Sequence, residues 1–411
     1  MNSENLQETL YNKKIDTMNI LNINDAKQYK GKTNIVITGV TGQDGSHMID
    51  YLLKNTDAVV FGGVRRLSVY NHSNIKHIDS ERFHLINFDL SDSHAISRTV
   101  EVLQPDYFIN FAAQSFVASS WDFARQTWQT NSTAVLDCLE AIRQYAPNCR
   151  FYNAGSSEEF GNVEYSPQDE KHPLKPRSPY GSSKAAARQL VKVYRESYNL
   201  YAVQGWLFNH EGERRGEEFV TRKITTNVAR ISKELKEGKT TVPLELGNVN
   251  AKRDWSYAPD FVDGVWKMLN QELYRPEVKE VMYKKGSILL PFAVDRKNIE
   301  CMSPLLKDYV LASGENHTIR EFVEESFKVA GITDGKWIGK DLDEKFVIGA
   351  TYTNNLKVLV HINPKFYRPA EVDTLLGDPT LAKRELGWSP KVGFKELVKI
   401  MTESELNKLK N

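Results

Sequence analysis

Cysteine is scarce in this sequence, long apolar runs are absent, and neither sign of charge prevails. The three cysteines, Cys138, Cys149 and Cys301, are too few and too scattered for a disulfide framework or a zinc site. They fit a reducing compartment, each as a small buried hydrophobe. With no stretch of about 18 apolar residues, no membrane span is expected. The opening Met1-Asn-Ser-Glu-Asn-Leu6 has no basic region followed by an apolar core, so no secretory signal is expected and a cytoplasmic location is. A formal net charge of +1 gives no general pull toward nucleic acid or membrane surfaces, so any anion site must be built from local clusters. Internal repeats and low-complexity tracts are also missing.

What remains is an ordinary globular balance, 40% hydrophobic and 26% charged over 411 residues, enough for one two-lobed unit or two domains. Residues 1–30 are polar and aperiodic and read as an N-terminal, partly ordered extension. From Asn34 the pattern changes. Asn34–Thr38 is a short β-branched apolar run, the form of a strand buried on both faces. Similar runs follow at Ala58–Gly62, Phe83–Phe88, Tyr107–Phe111, Arg150–Asn153 and Ala202–Leu207. Helix-like stretches lie between them at Ser46–Leu53, Ser93–Leu103, Thr133–Tyr145 and Tyr180–Tyr198. This alternation predicts an α/β fold, a Rossmann-like doubly wound parallel sheet over 31–210. Residues 211–411 lose the alternation and read as a smaller mixed α/β substrate lobe, with short helices at Thr318–Val329 and Thr380–Glu385. The chain is expected to return to the first lobe near 254–270.

Several motifs carry chemistry. Thr38-Gly39-Val-Thr41-Gly42-Gln43-Asp44-Gly45 directly follows a strand and opens a helix. A dinucleotide pyrophosphate needs glycines there, because a Cβ would block both the turn and the approach of backbone to phosphate. After the second strand, where an NAD enzyme places an acid, stand Arg65, Arg66 and Ser68. Two guanidiniums and a hydroxyl suit the 2′-phosphate of NADP, the alternative being a solvated basic turn. Tyr180-Gly-Ser-Ser-Lys184 begins a helix after Pro179 and stacks phenol and ammonium on one face. The ammonium is expected to lower the phenol's pKa and make Tyr180 a base. Ser156 and Glu158 follow a strand at the carboxyl edge of the sheet and suit proton transfer at adjacent carbons; a capped polar loop is the other reading. Arg214-Arg215, Arg222-Lys223 and Arg253 suit a diphosphate or a solvated surface. His210 is either structural or part of the cofactor pocket.

These stretches, with Phe111-Ala112-Ala113-Gln114-Ser115, Phe208-Asn209-His210-Glu211, Gly247–Trp255 and Tyr367–Asp373, resemble the GDP-mannose 4,6-dehydratase family along most of 34–411. The family belongs to the extended short-chain dehydrogenases. The resemblance implies that Tyr180, helped by Lys184, takes the proton of a sugar 4-hydroxyl while hydride leaves C4 for NADP. Glu158 then removes the proton at C5, water departs from C6 with help from Ser156, and hydride returns to C6. It further implies cofactor contacts at Asp89, Leu90, Ala112 to Ser115, His210 and Arg215. GDP-sugar contacts are implied at Ser115, Ser156, Glu158, Asn209, Val220, Lys223, Gly247, Arg253, Arg368 and Glu371. A homodimer or homotetramer is implied as well, formed in part through the Arg65-Arg66 loop.

Some positions depart from the family pattern. Ser156 replaces its usual threonine, Glu159 stands where an apolar residue is usual, Glu213 where proline is, and Gln126 where an aromatic is. About 30 extra residues lie around 272–307. A GDP-heptose therefore remains an alternative substrate. A same-fold 4-reductase or epimerase, and a non-catalytic NADP-binding sensor, are the competing functional readings; neither needs a base at Glu158.

Overall fold

The computed structural model describes residues 20–29, 31–66, 71–271, 306–349, 356–366 and 374–410. Ser68, Arg368, Glu371, Cys301 and nearly all of the extra segment at 272–307 lie outside the described residues.

Eight parallel strands form the central sheet. In chain order seven of them are β1 (Ile20–Leu21), β2 (Asn34–Thr38), β3 (Val59–Val64), β4 (Phe83–Asn87), β5 (Tyr107–Asn110), β6 (Arg150–Ala154) and β7 (Ala202–Leu207). Their spatial order is β1-β4-β3-β2-β5-β6-β7, and the strand Val310–Leu311 closes the β7 edge. All of β2 is buried, and alternate residues feed opposite faces of the sheet, as strand geometry requires. Ile35 and Ile37 pack with Met48, Ile49 and Leu52 of the helix Gln43–Asn55. Val36 packs with Ile96 and Val100 of the helix Ser93–Leu103 and with Leu139 and Ile142 of the helix Ala134–Tyr145. Helices thus cover both faces, giving the doubly wound sheet expected from the alternating pattern.

The connections leave β2 in opposite directions: β3 pairs on one side and β5 on the other. This reversal of strand order opens a crevice at the carboxyl ends of β2 and β5, the place where such sheets bind ligands.

Three features differ from the expected pattern. Ile20–Leu21 adds a parallel edge strand on β4, and Ala26 of the following turn is buried against the same core, so this part of the polar N-terminal stretch belongs to the sheet layer. The helix expected at Thr133–Tyr145 is preceded by helical turns from Ala124, including a π turn at Gln129–Thr133. The helices Val220–Lys236 and Ala258–Leu269 carried no expectation of their own. Phe261, Val265 and Met268 of the second pack into the core beneath β2.

The second lobe is built on a four-stranded sheet that includes Leu244–Leu246 and Lys357–Ile362. Ile224, Val228, Phe322, Phe327, Leu397 and Met401 form the core beside it. The fully buried Asp254 ties distant segments together. Its carboxylate accepts from Ser313 N at 2.7 Å, Ser313 Oγ at 2.6 Å, Gly314 N at 3.1 Å and Gly377 N at 3.2 Å. Asp254→Ala would strand these buried donors, so it should lower stability by on the order of 3 kcal/mol. A denaturation midpoint equal to wild type would show that the clamp contributes nothing.

Candidate active site

The turn after β2 is shaped by glycine. Gly39 has φ +71°, a left-handed conformation, and a Cβ on it would lie 2.8 Å from Ala112 N in the neighbouring β5 loop. Gly42 N donates to Gly39 O at 3.0 Å and closes the turn. The helix Gln43–Asn55 starts immediately after it, with its N-terminus at the floor of a cleft of about 1270 Å³. Thr41, Gly42, Gln43, Asp44, Gly45, Arg65, Asp89, Leu90, Ala112 to Ser115 and Arg215 all line this cleft. Arg66 is exposed beside it.

The residues present suit a large anionic ligand. Arg214 Nη1 and Arg222 Nε are buried without a hydrogen-bond partner, and their residues line the cleft. Two unsatisfied guanidinium donors beside a helix N-terminus are what a diphosphate needs. The cleft also takes Ser404, Glu405 and Lys408 from the helix Phe394–Lys408. No local pattern marked that helix, because it reaches the cleft only through packing of the second lobe. Its Glu405 pairs with Arg222 at 3.0 Å.

His210 stands behind Asp44, which lines the cleft. One ring nitrogen meets Phe208 O at 2.8 Å, the other Asp44 Oδ2 at 3.0 Å, and the ring stacks on Phe261 at 4.6 Å. Burial alone would raise the Asp44 carboxyl, but His210 and then Arg215 outweigh it and hold Asp44 well below the usual carboxylate range. Burial would likewise lower His210, and Asp44 more than offsets it, so the imidazole is raised. The pair is a charged clasp between the dinucleotide turn and the segment after β7.

Tyr180 and Lys184 stand on the helix Pro179–Tyr198, which begins cleanly because Ser178 Oγ accepts Gly181 N at 3.0 Å and proline occupies the first turn. Lys184 Nζ donates to Ala154 O at 2.8 Å and lies 5.9 Å from the centre of the Tyr180 ring. The expected lowering of the phenol by Lys184 is absent. Burial pushes Tyr180 up to about 12, against a hydrogen bond from Ser156 and the charge of Arg215. Burial also brings Lys184 down to about 8.

Ser156 caps the short turn Ser157–Glu159, its hydroxyl accepting Glu158 N at 3.2 Å. Glu158 is half-buried. A Cβ on Gly181 would lie 2.6 Å from Glu158 O, so this turn sits directly against the first turn of the Tyr180 helix. Asn131, in the π turn, was not anticipated. It accepts Gln114 N at 2.9 Å and donates to Gln114 O at 3.0 Å and Ser183 Oγ at 3.2 Å, pinning the β5 loop to the same helix. A π turn at a functional site is a recurring use of that geometry, but nothing in the local sequence period signals it.

Beneath these groups the strand ends are joined by side chains. Thr38 Oγ1 donates to Asn110 Oδ1 at 2.6 Å, Asn110 Nδ2 to Asn153 Oδ1 at 2.8 Å, and Asn153 Nδ2 to Gln204 Oε1 at 2.6 Å. Gln204 Nε2 continues the row to Lys184 O and Glu159 Oε1, both at 3.1 Å.

The residues expected on the sugar-nucleotide side stand mostly on the second lobe. Lys223 Nζ donates to Glu245 O at 2.7 Å and lies 3.6 Å from the Phe366 ring centre, while a Cβ on Gly247 would meet Phe366 O at 2.6 Å. Lys223 and Gly247 therefore converge on Phe366. Val220 starts the helix that carries Lys223. Arg253 is buried on a short strand opposite His317 and Leu375, and Asn209 pairs with Trp255.

A family model described as GDP-mannose 4,6 dehydratase matches residues 36–285 and 298–401. A GDP-mannose 4,6 dehydratase of Drosophila melanogaster is 40% identical over 380 residues, covering 90% of this chain and 85% of its own. The Homo sapiens protein of that name is 38% identical, covering 93% and 94%. Among solved structures, the UDP-glucose 4-epimerase of Thermotoga maritima superimposes with a TM-score of 0.68 at 21% identity, covering 92% of this chain and 100% of that one. A dTDP-glucose 4,6-dehydratase of Bacillus anthracis in complex with NAD gives 0.66 at 18% identity, covering 92% and 98%. The two structures share the fold, and the sequence match extends through both lobes: the chain belongs to the GDP-mannose 4,6-dehydratase family.

Proposed function

We propose that this protein is an NADP-dependent hydro-lyase that converts GDP-mannose to GDP-4-keto-6-deoxymannose, moving hydride internally from C4 to C6. The observation that carries the reading is that the Tyr180 hydroxyl is bonded to Ser156 and feels the charge of Glu158, whose backbone packs against Gly181. A reductase or epimerase uses the Tyr/Lys pair alone. A base and a hydroxyl beside it suit an elimination at the neighbouring carbons. Retention of both Tyr180 and Lys184 argues against a sensor without catalysis.

A bound nicotinamide supplies the hydride acceptor and donor. The chain supplies the proton chemistry and the exclusion of water. Tyr180 takes the proton of the sugar 4-hydroxyl; a phenol raised to about 12 is neutral at rest, and the hydrogen bond from Ser156 and the charge of Arg215 are what favour its ionisation during the step. Once C4 is a ketone, its C5 proton is acidified, and Glu158 removes it. Ser156, bonded to Tyr180, is placed to help pass a proton to the departing C6 hydroxyl. Burial of Tyr180, Ser156 and Lys184 keeps bulk water from the intermediate. Arg65, Arg66 and the lack of an acid after β3 support NADP over NAD, and Lys223 and Arg253 support a nucleoside diphosphate on the sugar side. The reading also takes the enzyme to be a cytoplasmic homodimer or homotetramer. Exposed Trp121, Phe123 and Trp128, close together in the chain, are surface that a second copy can cover.

Incubation with GDP-mannose and no added reductant should give a product lighter by one water, with solvent deuterium at C5 and no net change in NADP. Turnover of a GDP-heptose but not GDP-mannose would redirect the substrate assignment. Glu158→Gln should lower kcat by on the order of 10³-fold while cofactor stays bound; full activity would remove Glu158 as the base. The reading needs Lys184 as an ammonium on the reacting face of its helix, so kcat/KM should fall as pH rises through about 8, the value to which burial brings that group. A profile flat across that range would take Lys184 out of this role.

A further inference from the structure

Directly beside the proposed base Glu158 lies a second carboxylate that faces the other way. Glu159 is fully buried, and its two oxygens are fully engaged. Oε1 accepts Ser156 N at 2.9 Å and Gln204 Nε2 at 3.1 Å, and Oε2 meets Arg188 Nε at 2.5 Å. Arg188 is itself buried and held on every side. Its guanidinium donates to Gln204 O at 2.6 Å and Gly205 O at 3.2 Å, lies 3.4 Å from the Trp206 ring centre and faces Asp308 at 3.4 Å. The space is tight: a Cβ on Gly155 would meet Glu159 Oε1 at 2.7 Å and Arg188 Nη2 at 2.8 Å.

A buried ion pair is a poor way to gain stability, since apolar residues of similar volume often do as well or better. What this pair provides is a fixed location. The turn Ser157–Glu159 is only three residues long and has no stability of its own. Its geometry comes from the reciprocal cap, Ser156 Oγ on Glu158 N and Glu159 Oε1 on Ser156 N, and the second half of that cap is anchored through Arg188 to the middle of β7. Gln204 links the same carboxylate to Lys184 O, one turn beyond Tyr180.

We propose that Glu159, locked by Arg188, is a positioning residue that aims Ser156 and Glu158 at the substrate and adds its buried negative charge to that of Asp44 in facing Lys184. The proposal rests on the dehydratase reading. The charged and titratable groups that face Glu159 are Arg188, Lys184 and Tyr180 on the helix Pro179–Tyr198, Tyr152 on β6 and Asp308 behind Arg188; Lys184 is faced by Asp44 as well. Of these Lys184 is the one whose charge the reaction needs; burial lowers it, and Glu159 and then Asp44 oppose that lowering.

The test uses the full chain with bound NADP and GDP-mannose as substrate. Glu159→Gln keeps an acceptor for Ser156 N and removes the charge. It should move the alkaline limb of kcat/KM to lower pH. The double variant Glu159→Leu with Arg188→Met removes the pair without leaving a buried lone charge. It should fold and keep cofactor binding, with a lower Tm because Ser156 N and Gln204 Nε2 lose their acceptor, while kcat falls on the order of a hundredfold and KM changes little, the loss expected from small misplacement of reacting groups. Reduced nicotinamide should also build up during its turnover, because the Glu158 step becomes slower than oxidation at C4. Wild-type kcat and pH profile in the double variant would overturn the proposal, and so would failure of both variants to fold, which would make the pair a stability element. Absence of turnover in wild type itself would instead count against the dehydratase reading, so the two failures are distinguishable.

Discussion

The row of hydrogen bonds from Thr38 through Asn110 and Asn153 to Gln204 crosses the carboxyl edge of β2, β5, β6 and β7, and the rest of the site is hung from it. These side chains are almost wholly buried. Unpaired, each would carry a large desolvation penalty; paired in one line, they hold four strand ends in fixed register at the level where the chain leaves the sheet. At one end Thr38 Oγ1 also accepts Ala112 N at 3.1 Å, which sets the distance between the glycine turn and the β5 loop. At the other, Gln204 reaches Lys184 and Glu159. A single polar seam therefore locates both the cleft beside the glycine turn and the Tyr180, Lys184 and Glu158 group.

Burial dictates the electrostatics above that seam, with opposite consequences at neighbouring groups. Tyr180 is made a weaker acid and Lys184 a stronger one, while Asp44 remains ionised because His210 and Arg215 outweigh its desolvation. The site thus holds a neutral phenol and an ammonium close to losing its proton, a state from which modest changes in local charge move protons. In such surroundings one more or one fewer carboxylate matters, which gives the Glu159 and Arg188 pair its interest.

Much of this was legible from residues alone, for identifiable reasons. Asn34–Thr38 and Ala202–Leu207 are read correctly to the residue because a strand buried on both faces is mostly apolar or β-branched, even where a buried polar residue such as Gln204 interrupts it. The glycine turn and Tyr180/Lys184 are readable because a left-handed turn and a shared helix face each demand particular residues at fixed spacing. Asn131, Glu405 and Asp308 were invisible: each acts through a contact set by packing of distant elements, and none sits in a period or motif. The phenol's acidity went astray for a related reason. Spacing puts Lys184 on the same face as Tyr180, but whether the ammonium points to the phenol or to Ala154 O is settled by the carbonyls around it.

The strand Val310–Leu311 has a bearing on how this molecule comes into being. It lies on β7, and the adjacent Asp308 meets Arg195 at 2.9 Å and Gln204 N at 2.8 Å. All the other strands of the sheet have left the ribosome by residue 207, yet its final edge arrives only about a hundred residues later. Until then β7 offers an open row of backbone donors and acceptors, and Arg188 and Arg195 lack a carboxylate from Asp308. The nucleotide lobe is therefore not a module that can be cut from the chain at its apparent boundary. It is an arch whose last stone is carried by the far half of the protein, and the nascent chain must keep its exposed edge from other partners until that stone is delivered.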